Sequence, residues 1–219
     1  MGVAARASSP ADPSDGSSAG VSHGEWRFYQ RNDSLLVEVA LRPVVAMGLL
    51  DGVPYACALG VLDGLCELGV QGAGVSWPHD LTLADGSQIQ LDSHAAYDDL
   101  GVSVTASVQL GLDAVAKIGF EASAVGEALS RGMTQRVDSW AAAVRAAGRS
   151  ATPLGPILSE YFDAMPLMGK QVYVVGPRGN VVFAGTLAGI DVWGRATVVG
   201  SGDVELEISP GQAWLRAAS

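Results

Sequence analysis

Gly74-Val75-Ser76-Trp77-Pro78-His79-Asp80-Leu81 is the stretch around which the rest of the chain is organised. A helix-like segment runs into it and a strand-like segment leaves it. Pro78 fixes its own φ and pushes Trp77 toward an extended backbone, so the pair forms a stiff corner that aims His79 and Asp80. Taken alone, such a corner is more often a turn than a site, and Asp80 would then simply cap that turn. The flanking sequence gives it more weight.

Immediately upstream, Pro54 suits the first turn of a helix and Gly69 its end. Ala58, Leu62 and Leu65, with Leu59 and Cys66 beside them, form an apolar stripe at helical spacing, while Asp63 and Glu67 lie on the other side. Cys57 and Cys66 point to opposite faces of this helix and cannot bridge each other. Without metal-ligand spacing they read as buried small hydrophobes in a reducing compartment. Further back, Leu35 to Leu41 alternates. Leu35, Val37, Val39 and Leu41 share one side of a half-buried strand that Pro43 stops. Residues 44–52 read as a loop.

Downstream, Leu81–Leu83, Gln88–Leu91 and Gly101–Leu110 read as strands, with Asp85-Gly86 as a hairpin turn. Residues 92–100 look like a loop. It holds His94, Asp92, Asp98 and Asp99, which could bind a metal by composition but lack diagnostic spacing. Helices are expected over 123–148, where Val137, Trp140, Ala141 and Val144 form a stripe. Another is expected from about Pro156, with Tyr161, Phe162 and Met165 facing inward. From Met168 the texture changes to short strands separated by glycines: Gln171–Val175, Val181–Ile190, Ala196–Val199 and Val204–Ile208. This spacing suggests a small closed β barrel of the SH3-like type, with Trp193 and Trp214 in its core or on its rim.

The chain has 219 residues, of which 48% are hydrophobic, enough for one sizeable domain and a small one. Its formal net charge of −10 argues against nucleic acid, because phosphate contacts need clustered Lys and Arg. No apolar run approaching the roughly 20 residues of a bilayer span is read, so no membrane role is expected. No signal-peptide core is seen, and a cytoplasmic protein is the expectation. Residues 1–22 are rich in Ala, Ser, Gly, Pro and Asp and read as disordered.

Around the central corner the sequence resembles the biotin–protein ligase family. Members read Leu-Arg-Pro, then a Pro-led apolar helix, then Lys-Trp-Pro-Asn-Asp-Leu. Here Leu41-Arg42-Pro43 is followed by Val53-Pro54 and its helix, then by Ser76-Trp77-Pro78-His79-Asp80-Leu81. The likeness resumes at Gly169-Lys170-Gln171-Val172, Gly185 and Gly189-Ile190-Asp191, and again from Glu207-Ile208-Ser209 to Leu215-Arg216. The resemblance implies an α+β fold. A mixed β-sheet flanked by helices would form a ligase-like core over 23–166, and an SH3-like β domain would span 167–219. It also implies an activity: biotinyl-AMP is made from biotin and ATP with Mg²⁺, and the acyl group then passes to a lysine of a biotin carrier protein. Lipoate ligases share the scaffold, and the family often dimerises through its sheet. By motif correspondence the ligand-binding positions are Trp77, His79, Asp80 and Ser87. No residue is assigned a catalytic role and no metal ligand is fixed.

The departures fall on the chemical groups. The family's arginine-rich loop is replaced before Trp26 by Ser18-Ala19-Gly20-Val21-Ser22-His23-Gly24-Glu25. Ser87 stands where the resemblance expects the lysine that contacts the reacting carboxylate, and His79 stands for the motif's asparagine. Between Arg42 and Lys117 there is no Lys or Arg, whereas Asp51, Asp63, Glu67, Asp80, Asp85, Asp92, Asp98 and Asp99 lie in that interval. Two unit charges about 4 Å apart interact by roughly 4 kcal/mol at an effective dielectric near 20, so such a lining would hold an adenylate poorly. Three readings follow. The first is a ligase-fold protein without adenylation activity of its own, acting through binding or assembly. The second is an active, divergent biotin or lipoate ligase using His79 and Asp80 for Mg²⁺–ATP. The third is a partial subunit that completes its site with a complementary ligase chain, because the segment before Ser18 is short and polar.

Overall fold

The computed structural model describes residues 21–31 and 33–218. The expected disordered segment 1–22 lies outside them up to residue 20. Of its last residues, Val21 offers its carbonyl to Arg42 Nε at 2.9 Å.

The core is a six-stranded sheet built from β1 (Trp26–Arg31), β2 (Ser34–Leu41), β3 (Gly74–Ser76), β4 (Asp80–Thr82), β5 (Gln88–Asp98) and β6 (Gly101–Gly111). Its spatial order is β1-β2-β6-β5-β4-β3. The α+β class is as expected. The sheet expected to be mixed nevertheless pairs antiparallel throughout, with short connections joining β3 to β4, β4 to β5 and β5 to β6.

One face of the sheet is apolar. Leu35, Val37, Val39 and Leu41 of β2 lie beside Val104, Ala106, Val108 and Leu110 of β6 and Ile89 and Leu91 of β5, all buried. Helices α1 (Val53–Glu67) and α3 (Ala122–Ala147) cover this face, with the short α2 (Leu112–Ile118) at its end. The other face carries polar residues such as Thr105, Gln109, Gln90 and Asp92, which are exposed.

Sequence reading differs from the structure at further places. Trp26–Arg31 forms the edge strand β1, in which Trp26 and Phe28 face the core side and stack with centroids 6.0 Å apart. Residues 92–98, read as loop, continue β5 and pair with β6 as far as Asp98 opposite Gly101. These residues bury neither face, so no apolar alternation marks them. Cys57 is buried as expected, whereas Cys66 is exposed. Finally, Met47–Glu67, a 3-10 turn running into α1, is long and apolar enough to cross a bilayer, with mean hydropathy 1.4, yet 61% of that window is buried in the core. Core burial accounts for its composition.

After α4 (Leu158–Asp163) comes a five-stranded antiparallel sheet, in the order β10-β9-β8-β7-β11. Its strands are β7 (Gln171–Val175), β8 (Val181–Ile190), β9 (Ala196–Val199), β10 (Glu205–Ile208) and β11 (Trp214–Ala217). Val172, Val174, Leu187, Ala196 and Val198 fill its interior, while Trp193 and Trp214 sit partly exposed on its rim.

Candidate functional site

The Trp77–Pro78 corner, whose peptide bond is cis, joins the core to the terminal β domain. Trp77 is buried, and its indole Nε1 donates to the Gly194 carbonyl at 2.9 Å. The Tyr55 hydroxyl of α1 donates to the same carbonyl at 3.3 Å. Tyr161 of α4 donates to the Pro78 carbonyl and meets Tyr55 edge to face. Nearby, the Leu154 amide donates to the Val192 carbonyl at 3.0 Å.

Beside this junction lies a cavity of about 550 Å³. From the core it is lined by Asp51, Tyr55, His79 and Val104, and from the β domain by Trp193 and Arg195. His79 enters edge-on to Tyr55, with ring centroids 6.0 Å apart. Its Nδ1 is buried and has no hydrogen-bond partner. Burial pushes the imidazole below its usual pKa, against the opposing pull of Asp80, the Leu91 backbone and Asp92.

Arg195 is fixed by its own turn. Asp191 Oδ1 accepts from the Trp193 and Arg195 amides, each at 2.9 Å. Asp191 Oδ2 accepts from Arg195 Nε at 2.7 Å, and Glu207 accepts from Nη1 at 2.7 Å. Burial opposes ionisation of Asp191, yet these donors hold it below the usual carboxylate range. The guanidinium thus stands on the cavity wall with two carboxylates already on it.

Of the four positions marked by the motif, the structure brings three together. Trp77, His79 and Asp80 are contiguous, but only His79 lines the cavity. Asp80, the first residue of β4, accepts from the Leu91 amide through Oδ1 at 2.9 Å, beside the Leu81–Ile89 pair. Ser87 lies in the β4–β5 turn, where its amide donates to Asp85 Oδ1 and its carbonyl accepts from Leu83, both at 2.9 Å. Ser93 of β5 lines the cavity. At about 3.3 Å per residue, Ser87 sits roughly 20 Å farther along that strand. The turn's nearby cation, Lys117, is paired with Asp85 and keeps that carboxylate ionised.

The arginine of the Leu-Arg-Pro motif is also occupied. Arg42 grips Asp98 with both terminal nitrogens, Nη1 at 3.0 Å, and so ties the tip of β5 to the end of β2. Its backbone amide donates to His23 Nδ1 at 2.9 Å. Among the described residues, no three His, Cys, Asp or Glu side chains converge as a metal site. Asp92, His94 and Asp98 are strung along β5, Asp99 lies in the turn after it, and Asp98 belongs to Arg42.

A nucleoside triphosphate with Mg²⁺ would meet few free charged side chains in this lining. The cavity offers one carboxylate of its own, Asp51, and a guanidinium that Asp191 and Glu207 already engage. Asp51, Tyr55 and Arg195 were missed as site residues in the sequence. They come from two domains and no local motif links them.

No family model matches the chain, and no curated protein matches it in sequence. Solved structures do match its fold. A biotin protein ligase from Aquifex aeolicus superimposes with a TM-score of 0.65 at 15% identity, over 91% of this chain and 90% of that one. The same enzyme in complex with biotin and ATP gives 0.66 at 15% identity, over 91% of each chain. A biotin protein ligase-like protein of unknown function from Silicibacter sp. TM1040 gives 0.65 at 18% identity, over 94% of this chain and 93% of that one. The chain therefore has the biotin protein ligase fold, with its small C-terminal β domain.

Proposed function

We propose that this chain is a ligase-fold protein without adenylation activity of its own, and that it works by binding a small molecule in the cavity between core and β domain. One observation carries the reading: the guanidinium on the cavity wall, Arg195, is already neutralised by Asp191 and Glu207. Acyl-adenylate formation concentrates charge on phosphate, and proteins meet that charge with free Lys, Arg, metal or backbone donors. Losing a single well-placed donor of this kind costs on the order of a hundredfold in rate. Here Ser87 replaces the expected lysine and lies in a separate turn.

Biotin-dependent exchange of labelled pyrophosphate into ATP tests this reading directly. The purified chain should give no exchange above background with biotin or lipoate and Mg²⁺, and no labelled carrier domain. Clear exchange by the isolated chain would establish the active-ligase reading instead. Label appearing only with a second co-expressed chain would establish a shared site.

A further inference from the structure

The charges around the cavity are the reverse of what a phosphorylated ligand needs. Asp51 stands on its wall, and Asp191 and Glu207 stand behind Arg195. Two carboxylates therefore engage the one guanidinium, and a third, Asp51, lines the same cavity. Asp51 makes no ion pair or side-chain hydrogen bond among the described residues. It lies in the 3-10 turn Met47–Gly52 that leads into α1. Burial raises the Tyr55 hydroxyl pKa, and Asp51 and Asp191 raise it further. His79 adds no positive charge, since burial keeps its imidazole neutral near pH 7.

The remaining walls are aromatic and aliphatic. Tyr55, itself buried, and Trp193, about half exposed, line it together with Leu50, Pro54 and Pro210. An indole face attracts a cation held within about 6 Å of its centroid. A cavity of about 550 Å³ is of the size that encloses small organic ligands. The chain's net charge of −10 also enriches cations around it at low salt.

We infer that this cavity binds a small organic cation, a primary or quaternary ammonium on a compact apolar body. The ammonium sits at Asp51 and the body lies against Tyr55 and Trp193. This rests on the reading that the cavity is a ligand site without adenylation chemistry, and it names the ligand class.

The test uses the full chain with benzylamine, phenethylamine and tetraethylammonium as probes, and with benzyl alcohol and benzoate as neutral and anionic comparators. Binding is read by thermal shift and by ligand-observed NMR. The ammonium probes should raise Tm saturably, and benzoate should leave it unchanged. Asp51→Asn should weaken the ammonium probes about tenfold, the scale of one lost charge-assisted contact. Trp193→Ala should weaken them several-fold, and Asp99→Asn, outside the cavity, should not. Raising the salt concentration should weaken binding in the wild type. The inference is overturned if no ammonium probe binds at millimolar concentration, if benzoate binds as well as benzylamine, or if Asp51→Asn binds like wild type. Pyrophosphate exchange is scored separately. Exchange without ammonium binding refutes both readings, whereas neither exchange nor ammonium binding refutes only the ligand class.

Discussion

His79 occupies an unusual place for an imidazole. One ring nitrogen is buried without a partner, the ring meets Tyr55 edge-on, and burial outweighs the attraction of Asp80 and Asp92. Its folded pKa therefore lies below the unfolded value of about 6.5. As pH falls, the unfolded chain takes the proton first. The stability this neutral ring carries is complete above about pH 6.5 and is lost as pH drops through the folded pKa. Between about pH 7 and pH 5, Tm should fall more steeply for the wild type than for His79→Asn, which does not titrate in that range. Equal slopes would place the ring in solvent. The motif made His79 and Asp80 visible in the sequence, because a rigid Trp-Pro corner fixes whatever follows it. It did not distinguish their tasks. Asp80 binds a strand amide of β5 and His79 faces the cavity, a division set by residues far away in the chain. Counting an offset to Ser87 failed to bring it to the cavity for a related reason: the count crosses a hairpin, which carries the chain away from His79.

Helices α1 and α3 cross at glycines. A Cβ on Gly60 would come within 2.5 Å of the Gly132 carbonyl, and one on Gly64 within 2.7 Å of the Ala128 carbonyl. Gly132 in turn lies directly against the Gly60 carbonyl. Replacing Gly132 with Ala ought to help an isolated helix by up to about 1 kcal/mol. Here the added methyl group meets backbone that cannot move aside. We expect Gly132→Ala to destabilise the protein by about 1–3 kcal/mol, the usual cost of overpacking, measured as a lower urea midpoint with an unchanged m-value. A stabilised variant would mean that the helices can separate. The sequence showed the apolar stripes of both helices and the alternation of β2 and β6, since each is periodic within one element. It could not show the glycine contact, which belongs to a pair of elements. The outer half of β5 was hidden differently. It buries neither face, and hairpin pairing with β6 together with the Arg42–Asp98 clamp holds it in place.

Core and β domain meet around the Gly194 carbonyl. Gly194 accepts from both the Trp77 indole and the Tyr55 hydroxyl, and adopts φ +83° in its turn. The change in texture after Met168 made the second unit legible in sequence, but nothing local said which turn would dock or where. Docking depends on that positive φ, which glycine adopts without the Cβ penalty of other residues. It also depends on space, because a side chain at Gly194 would run into the Tyr55 ring. Left-handed strain and overpacking together predict that Gly194→Ala costs about 2–4 kcal/mol. That cost should fall on the junction rather than on either sheet. In hydrogen exchange, amides of β7, β8 and β9 should lose protection in Gly194→Ala while those of β2 and β6 keep theirs. The cavity, whose walls come from both units, should lose its ligand in parallel, so an ammonium probe that stabilises the wild type should no longer do so. Equal loss of protection in both sheets would show that core and β domain open as one cooperative body, with the Gly194 carbonyl one contact among many.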